Sequence, residues 1–308
     1  MKIKKPDFWD EKKPNLIAYL LLPVSKMIQI LKSLRKSKNL NFPEIKTICV
    51  GNIYIGGTGK TPLSIKLSKL LNSKNLKAAV IKKFYTDQKD EQVLISKKTN
   101  LISKINRKDS LDSAIRQNFK YAILDDGLQE NYINYDFKIC CFSSNNWIGN
   151  GLTIPAGPLR EKISSIENFD IIFLNGPDIE NKVIKEKILK INSNIKIFEG
   201  SYKLKNSNNL DTSKNYLIFS GIGNPQNFDH TLKENNFKVF KHFTFPDHYN
   251  YKKNEIDNLK KFAKDKNLEI ITTEKDYYRI QEELRDGINF IEIDLKISNE
   301  SELISLIL

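Results

Sequence analysis

The fold is decided by IYIGGTGKTPLSI, residues 53–65, a glycine-rich loop that ends in lysine and threonine. The loop follows an apolar, strand-like run (TICV, residues 47–50) and leads into an amphipathic, helix-like run (PLSIKLSKLL, residues 62–71). A glycine-rich turn between a strand and a helix presents backbone N–H groups to an anion, and the helix N-terminus adds partial positive charge. The stretch therefore predicts a phosphate-binding loop. A glycine-rich turn with an exposed lysine is the weaker alternative.

The loop contains the residue types that a nucleoside triphosphate and its metal require. Its glycines allow positive φ and close approach of the backbone to phosphate. Lys60 is expected to reach the outer phosphates, the Thr61 hydroxyl to bind magnesium, and Pro62 to suit the first helical turn. Tyr54 stands where the usual P-loop pattern has its first glycine. The predicted nucleotide-binding residues are Gly56, Gly57, Thr58, Gly59, Lys60 and Thr61.

A second motif, YAILDDGLQ, residues 121–129, places two aspartates at the end of an apolar, strand-like run. Opposite a phosphate loop, carboxylates in that position hold magnesium directly or through water, and the metal offsets phosphate charge. We therefore predict that Asp125 and Asp126 lie on the metal side of the site, with Gly127 opening the turn after them. A capping role for the aspartates in this turn is the alternative interpretation.

Three further segments carry charged residues whose roles the residue pattern leaves open. Asp90 and Glu91 either begin a charged helix or place a carboxylate where it accepts a hydroxyl proton. His248, in FPDHYNY, either orients a carboxylate or contacts phosphate, unless it is an ordinary surface or core histidine. Arg160, followed by Glu161 in TIPAGPLRE, either binds an anionic group or is solvated in a turn.

Length and composition predict a soluble, two-domain protein of 308 residues, of which 40% are hydrophobic and 28% charged. The three cysteines lie in apolar runs without metal-ligand spacing, which predicts buried, reduced thiols in a cytosolic protein. The formal net charge of +13 indicates an anionic partner or a general bias towards lysine and asparagine. Because the lysines are spread along the chain without a nucleic-acid module, anionic lipid or a phosphorylated substrate is favoured over nucleic acid.

Beyond the phosphate loop, apolar strand-like runs alternate with helix-like runs, from AAVIKK, residues 78–83, to NFIEIDL, residues 289–295. This alternation predicts a mostly parallel sheet covered by helices, which is an α/β fold. The polar, asparagine-rich segment at residues 206–209 is the best candidate for a domain boundary. We therefore predict a P-loop domain over residues 1–205 and a smaller α/β domain over residues 206–308.

The N-terminal region combines apolar and basic residues. Leu16 to Leu22 is an apolar run that is too short to span a bilayer and is followed by Pro23. We predict an amphipathic helix over about residues 15–36 that either docks on a membrane interface or packs on its own domain. Its apolar face comprises Met27, Ile28, Ile30, Leu31 and Leu34, beside the basic residues Lys26, Lys32, Arg35, Lys36 and Lys38.

Seven segments, in their order and rough spacing, resemble those of the tetraacyldisaccharide 4′-kinase family, the lipid A 4′-kinases of Gram-negative bacteria. The segments are VGNIYIGGTGKTP, DEQVLI, LDDGLQ, GNGLTIPAGPLRE, FSGIGNPQNF, FPDHYNY and TTEKD. The resemblance covers nearly the whole chain, and the family also lacks the first P-loop glycine that Tyr54 replaces. It implies a P-loop NTPase-like α/β/α sandwich with a second, smaller α/β/α domain, a short β linker and an N-terminal amphipathic helix.

The resemblance also implies the reaction. In that family, ATP and Mg²⁺ support transfer of the γ-phosphoryl group to the 4′-hydroxyl of a lipid-linked glucosamine disaccharide 1-phosphate, giving lipid IVA in lipid A biosynthesis. It further implies a peripheral enzyme on the cytoplasmic face of the inner membrane. The expected partners are this substrate and the membrane surface, with no nucleic acid and no obligate protein partner.

Site residues follow from the resemblance position by position. Asp90 is expected to be the catalytic base, supported by His248 from the second domain. Together with the P-loop lysine, the residues expected to be catalytic are Asp90, His248 and Lys60. The residues expected to bind the metal are Thr61, Asp125 and Asp126. The residues expected at the periphery of the active site are Glu91, Gln129, Arg160 and Glu161.

The chain departs from the family pattern at two places. Many relatives carry a serine–arginine–glycine–tyrosine run where this chain has KKFY, residues 82–85. Glu130 replaces the usual histidine after DGLQ. From the sequence, we expect neither departure to touch the metal-binding or proton-transferring residues.

Other nucleotide-binding classes fit the sequence less well. A membrane-associated regulatory ATPase of the deviant P-loop kind is the alternative function, but Ile55 occupies the place of the lysine that its pattern requires. TEKD, residues 273–276, does not supply the asparagine–lysine–x–aspartate base reader of a GTPase. GGTGKT lacks the glycine spacing of a dinucleotide-binding module.

Overall fold

A computed structural model of the chain describes residues 5–34, 39–85, 89–130, 132–176, 178–206 and 210–308. In chain order, its helices and strands are α1 (Leu16–Ser33), β1 (Lys46–Gly51), α2 (Lys60–Ser73), β2 (Ala78–Lys83), α3 (Lys89–Lys98), β3 (Leu101–Lys104), α4 (Arg107–Arg116), β4 (Tyr121–Asp125), β5 (Phe137–Ser143), β6 (Ile171–Asn175), α5 (Asp178–Ile191), β7 (Lys196–Leu204), β8 (Asn215–Ser220), α6 (Pro225–Glu234), β9 (Lys238–Thr244), α7 (Lys253–Asp265), β10 (Glu269–Thr273), α8 (Glu274–Arg279), β11 (Ile288–Ile291), β12 (Ile293–Ile297) and α9 (Glu300–Ile307). The predicted alternation of strands and helices is present.

The chain divides into two units. Unit 1 consists of Met1–Lys83, Thr99–Ser201 and Ile297–Leu308, and unit 2 consists of Phe84–Lys98 and Tyr202–Lys296. The division after Ser201 lies close to the predicted boundary at residue 206. That boundary stays a prediction, because residues 207–209 of the asparagine-rich segment lie outside the described residues. Two segments differ from the simple two-part division, because α3 belongs to unit 2 and α9 belongs to unit 1.

The larger sheet, most of which belongs to unit 1, has the strand order β12-β7-β6-β5-β1-β4-β2-β3. Strand β1 pairs in parallel with β4 on one side and with β5 on the other. In this register Val50 lies opposite Asp125, so the phosphate loop after β1 and the aspartates after β4 leave the sheet at the same edge. Ligands of open parallel sheets bind at this carboxyl edge.

Both faces of this sheet are buried, as the continuous apolar runs of its central strands predict. On one face, Leu111 and Ala114 of α4 pack with Ile81 and Leu124. Farther along the same face, Ile184 and Ile188 of α5 pack in a cluster with Cys49 and apolar residues of β5 and β6, since Cys49 is the register partner of Leu124. The three cysteines, Cys49, Cys140 and Cys141, are free and buried, as predicted.

The sheet of unit 2 has the order β11-β10-β8-β9, with parallel pairing throughout. Alternate residues of β8 belong to different core clusters. Leu217 packs in the cluster that includes Ile256 and Leu259 of α7. Ile218 packs in the cluster that includes Phe228 of α6. Helices therefore cover both faces, and unit 2 is a small α/β/α layer structure.

The segment NFIEIDL, read from the sequence as a single apolar run, forms two strands in different sheets. Strand β11 (Ile288–Ile291) pairs with β10, whereas β12 (Ile293–Ile297) is an edge strand of the larger sheet, next to β7. Between them, the carbonyl of Glu292 accepts a hydrogen bond from the amide of Lys205. The chain thus leaves unit 1 along β7 and returns along β12.

Helix α1 continues through Pro23, where the sequence indicated the end of the apolar run. By length and composition alone, it is long and apolar enough to cross a membrane. One side contacts unit 1, where the Ser25 hydroxyl donates to the carbonyl of Thr153 over 2.8 Å and accepts from the amide of Ala156 over 3.1 Å. The other side is exposed, including Leu20 at 70% and Leu31 at 57%. The predicted basic residues Arg35, Lys36 and Lys38 lie outside the described residues.

Candidate active site

The phosphate loop leads directly into helix α2, whose first residue is Lys60. Gly59 precedes the helix with φ of 87°, and Gly56 has φ of 136°. Residues with a side chain rarely adopt this backbone conformation, so glycine is required at these two positions. The first turn of α2 therefore has free amides at the loop, together with the Lys60 ammonium group.

A buried asparagine braces the loop from inside. Asn52 donates from Nδ2 to the carbonyl of Tyr54 over 2.6 Å and to the Thr58 hydroxyl over 3.0 Å. The Thr58 side chain is therefore turned towards the protein. The predicted contact of Thr58 with a nucleotide then falls to its backbone amide. Tyr54 is a core residue, 1% exposed, and its hydroxyl donates to Asp10 over 2.5 Å. A tyrosine can stand at this point of the loop because its ring fills the core.

The predicted metal-side residues lie next to the start of α2. The Thr61 hydroxyl donates to Oδ2 of Asp125 over 3.0 Å, and the Ser64 hydroxyl donates to Oδ1 over 3.2 Å. Lys60 Nζ lies 3.7 Å from Oδ1 of Asp126. Burial acts to raise the pKa of Asp126, but the charges of Lys60, Arg160, Lys82 and Arg107 outweigh burial and lower it.

The turn after β4 differs from the prediction in one detail. The residue with positive φ is Asp126, at 57°, and not Gly127. Gly127 is needed for a different reason, since a Cβ there would lie 2.9 Å from the sulfur of Cys49. Aspartate tolerates the left-handed conformation better than most residues. This turn of the backbone gives the two carboxylates different exposure to solvent. The Asp125 side chain is fully buried, whereas that of Asp126 is 34% exposed.

One departure from the family pattern lies in the metal side of the site, contrary to our expectation. Lys82 Nζ is 2.8 Å from Oδ2 of Asp125, and the two side chains are 5% and 0% exposed. Strand β2 pairs with β4 so that Ile81 lies opposite Leu124. The residues that follow, Lys82 and Asp125, therefore meet at the carboxyl edge of the sheet.

The second departure, Glu130, is part of the same charged region. Arg107 donates from Nη2 to the carbonyls of Asp125 and Asp126 over 2.8 and 2.9 Å, which fixes the backbone of the aspartate turn. Glu130 lies 3.6 Å from Arg107 and 3.9 Å from Lys83. Its carboxylate offsets cations beside the metal-side residues, so this departure too affects the surroundings of Asp125.

Three of the four residues expected at the periphery of the site belong to unit 1, and they lie together there. Arg160 donates from Nη1 to Gln129 Oε1 over 2.7 Å and lies 3.5 Å from Asp126 Oδ1. Gln129 in turn donates to the carbonyl of Asn52 over 2.8 Å. Burial raises the pKa of Glu161, with partial opposition from Lys32, Gln129, Ser165 and Arg160.

The donors on this side of the site fit magnesium held together with a nucleotide. Among the described residues there is no group of three or more His, Cys, Asp or Glu side chains that could hold a metal ion. The pair Asp125 and Asp126 with the Thr61 hydroxyl supplies only oxygen donors. Mg²⁺ is commonly bound by one or two carboxylates, with waters and substrate phosphates completing its octahedron.

A second cluster of predicted residues lies within unit 2. Asp90, 6% exposed, is in the first turn of α3, and its Oδ2 accepts from both Nε and Nη2 of Arg279, over 2.9 and 2.7 Å. His248 Nδ1 lies 3.5 Å from the other oxygen, Oδ1. His248 has a positive φ of 56°, which is uncommon for a residue with a side chain and marks a constrained loop.

Neighbouring charges keep Asp90 ionised. Burial acts to raise its pKa, but the hydrogen bond with His248 and the charges of Lys275 and Arg279 outweigh burial and lower the pKa to about 2. Lys275 also donates to Glu91 Oε1 over 2.7 Å, and His248 Nε2 lies 3.8 Å from the same oxygen. The cluster is therefore a carboxylate pair and an imidazole, balanced by two cations.

Comparison with known proteins identifies the family of the chain. The family model of tetraacyldisaccharide-1-P 4′-kinase, LpxK, matches residues 17–308. This chain belongs to that family. The tetraacyldisaccharide 4′-kinase of Pelagibacter ubique is 47% identical over 98% of this chain and 96% of its own length. That of Rickettsia typhi is 39% identical over 97% of this chain and 96% of its own length.

The fold of tetraacyldisaccharide 4′-kinases is also known from a solved structure. LpxK from Aquifex aeolicus, solved in complex with ATP, superimposes on this chain with a TM-score of 0.67. The likeness covers 94% of this chain and 96% of the other, at 22% sequence identity. The predicted P-loop α/β fold is therefore confirmed.

Four residues of this tetraacyldisaccharide 4′-kinase family member were missed from its sequence. Asn52, Lys82, Arg107 and Arg279 each hold a predicted residue by a direct contact. Lys82 had a partial signal, because it is a charged residue near the end of β2, but the sequence does not show that β4, which ends in Asp125, is the neighbouring strand. Arg279 had none, since α8 is a short polar helix far along the chain from Asp90.

Proposed function

We propose that this chain is an ATP-dependent kinase that phosphorylates the 4′-hydroxyl of a tetraacyldisaccharide 1-phosphate, a precursor of lipid A. Membership of the family supports the reaction. The observation that carries the nucleotide half is the contact of Thr61 with Asp125, 3.0 Å, beside the Lys60–Asp126 pair at the start of α2. A lysine, a hydroxyl and two carboxylates at a helix N-terminus form the arrangement that phosphoryl transfer requires.

In unit 1, the residues bind and orient the nucleotide. We assign the amides of the phosphate loop and the Lys60 ammonium to the phosphates of ATP, which they hold by charge-assisted hydrogen bonds. Thr61, Asp125 and Asp126 are assigned to Mg²⁺. When bound, the ion would neutralise charge on the phosphates as the γ-phosphoryl group transfers. Arg160 and Gln129 fix the orientation of Asp126.

In unit 2, Asp90 and His248 are assigned to the acceptor hydroxyl. A pKa of about 2 leaves Asp90 charged at neutral pH and makes it a weak base by itself. As an ionised neighbour at 3.5 Å, however, it orients the His248 ring. The pair therefore accepts the hydroxyl proton as a unit. Arg279 positions Asp90, and Glu91 lies on the opposite ring nitrogen of His248.

Helix α1 is assigned to the membrane surface. A tetraacylated substrate stays in the bilayer, so the enzyme has to work at the lipid interface. The exposed apolar side of α1 and the net charge of +13 both favour an anionic membrane surface. We therefore propose peripheral association with the cytoplasmic leaflet of the inner membrane.

The deciding experiment is incubation of the purified protein with γ-labelled ATP, Mg²⁺ and the disaccharide 1-phosphate in detergent. We expect a doubly phosphorylated lipid, and we expect it to be lost in Lys60→Met. The regulatory ATPase would be supported instead if no lipid product formed and labelled phosphate were released at the same rate whether or not lipid was present.

A further inference from the structure

The Lys82–Asp125 ion pair is a deeply buried contact on the metal side of the site. The ammonium lies 2.8 Å from Oδ2, and neither side chain is more than 5% exposed. A buried ion pair keeps both charges only if other hydrogen bonds satisfy the remaining lone pairs. Here Thr61 donates to the same Oδ2, and Ser64 donates to Oδ1. Both oxygens of Asp125 thus have donors from the protein itself.

This pairing changes what Asp125 offers to a metal. A carboxylate attracts a divalent cation mainly through its charge, and a neighbouring ammonium both cancels that charge and repels the cation. The local field at the phosphate side is therefore more positive than two aspartates alone would make it.

We propose that Lys82 is a positioning residue that holds Asp125 in place and supplies part of the positive charge otherwise provided by Mg²⁺. Nucleotide binding then depends less on the metal than it would with Asp125 unpaired. The inference rests on the proposed function only in that the loop binds a nucleotide together with Mg²⁺.

The quantity that tests the proposal is the coupling between metal and nucleotide. Fluorescent ADP carrying a methylanthraniloyl group is titrated into the full-length protein, once in EDTA and once in saturating Mg²⁺. The dissociation constant in EDTA divided by that in Mg²⁺ gives a ratio that measures how strongly the metal supports nucleotide binding. A residue with only a structural role would weaken both titrations alike and leave this ratio unchanged.

Lys82→Met removes the charge and keeps most of the side-chain volume. We expect it to raise the ratio about tenfold, because nucleotide binding weakens in EDTA and recovers when Mg²⁺ is bound by an unpaired Asp125. Lys83→Met is the matched control, since Lys83 is the neighbouring lysine and its contact is with Glu130 at 3.9 Å. Its ratio should stay within about twofold of the wild-type value. A folded Lys82→Met protein with an unchanged or lowered ratio would overturn the proposal.

Lys82→Met leaves a buried carboxylate unpaired and can prevent folding. The double variant Lys82→Met with Asp125→Asn avoids this problem, because it replaces the ion pair by two neutral side chains of similar size. If Lys82 already neutralises Asp125, the double variant should keep the wild-type ratio within about threefold. A drop of more than tenfold would show that Asp125 acts as a fully charged ligand, and the proposal would be wrong. If the wild type binds no nucleotide at all, the proposed function itself fails.

Discussion

The two clusters of predicted site residues differ in how their segments are arranged along the sequence. In unit 1, the phosphate loop and α2 form one continuous stretch, and the aspartates follow the strand beside it. In unit 2, the cluster is assembled from α3, the loop after β9 and α8. A continuous stretch has a spacing that can be recognised, whereas a cluster from three segments has none. The first cluster could be predicted from residue types, and the second required the family resemblance.

The clusters also use their charges differently. In unit 1, Asp126 keeps a side chain that is 34% exposed, beside a lysine 3.7 Å away, and so remains available to a ligand. In unit 2, Asp90 is held by two guanidinium nitrogens on a single oxygen. The first arrangement suits binding of an ion or phosphate, and the second suits a carboxylate with a fixed direction and a fixed charge. Each difference leads to a separate experimental expectation.

We expect the strongest loss of activity from a change in the phosphate loop. Lys60→Met should lower kcat/KM for lipid phosphorylation about 1000-fold, or roughly 4 kcal/mol, because the ammonium contacts charge that grows in the transition state. Quantification of the doubly phosphorylated lipid measures this loss. Lys74→Met, an exposed lysine directly after α2, is the matched control and should keep near-wild-type activity. Similar losses in both variants would remove the special role of Lys60.

The next effect concerns the cluster in unit 2. Asp90→Asn should lower kcat about 100-fold while the affinity for the fluorescent nucleotide stays unchanged, since the carboxylate acts on the acceptor proton and not on ATP. Steady-state kinetics and a nucleotide titration separate the two quantities. Asp247→Asn removes a more exposed carboxylate 3.9 Å from the same histidine and should have little effect on kcat. Weakened nucleotide binding in Asp90→Asn, with kcat intact, would contradict the division of tasks between the clusters.

The pairing of Asp90 has a further consequence for stability. Its pKa is about 2 in the folded protein and about 3.9 in an unfolded chain, so the unfolded chain binds more protons between these pH values. The stabilising contribution is therefore complete above pH 4 and is lost as the pH falls through 2. Urea unfolding should show that the free-energy difference between wild type and Asp90→Asn shrinks by about 2 kcal/mol from pH 4.5 to pH 2. Asp257→Asn, at an exposed position in α7, is the matched control, and an equal change in both variants would contradict a special role of the Asp90 contacts.

The sequence predicted more of the fold than of the contacts within the site. The alternation of apolar and amphipathic runs was sufficient for the parallel sheet, because burial on both faces leaves a clear pattern in β1, β4 and β6. The split of NFIEIDL between two sheets was missed, since a short apolar run does not show which neighbour each half will have. Positions of charged side chains were the hardest to predict.

Lys82 shows why charged contacts were missed. Lys82 lies near the end of a buried strand, where a lysine is usually solvated, and only the pairing of β2 with β4 brings it to Asp125. Glu130 was likewise judged unconnected to the metal side, although it lies near Arg107, which holds the aspartate turn. Such contacts depend on the order of strands in the sheet, and a single sequence does not reveal that order.

The weakest effect that we expect concerns the exposed apolar side of α1. Leu20→Gln and Leu31→Gln should each weaken binding to anionic vesicles about tenfold, because each removes most of the free energy of burying one leucine in the interface. Both residues are exposed, at 70% and 57%, and glutamine is nearly as good a helix former as leucine, so folding should be unaffected.

Vesicle sedimentation measures the binding of these variants, and kcat in detergent should stay unchanged because the bilayer is then absent. Val183→Gln is the matched control, an exposed apolar residue of α5 at 55% exposure. If Val183→Gln weakens vesicle binding as much as the α1 variants do, the exposed side of α1 is not the docking surface. Binding unchanged in all three variants would instead assign membrane attachment to the distributed positive charge, which predicts a steep decrease with salt.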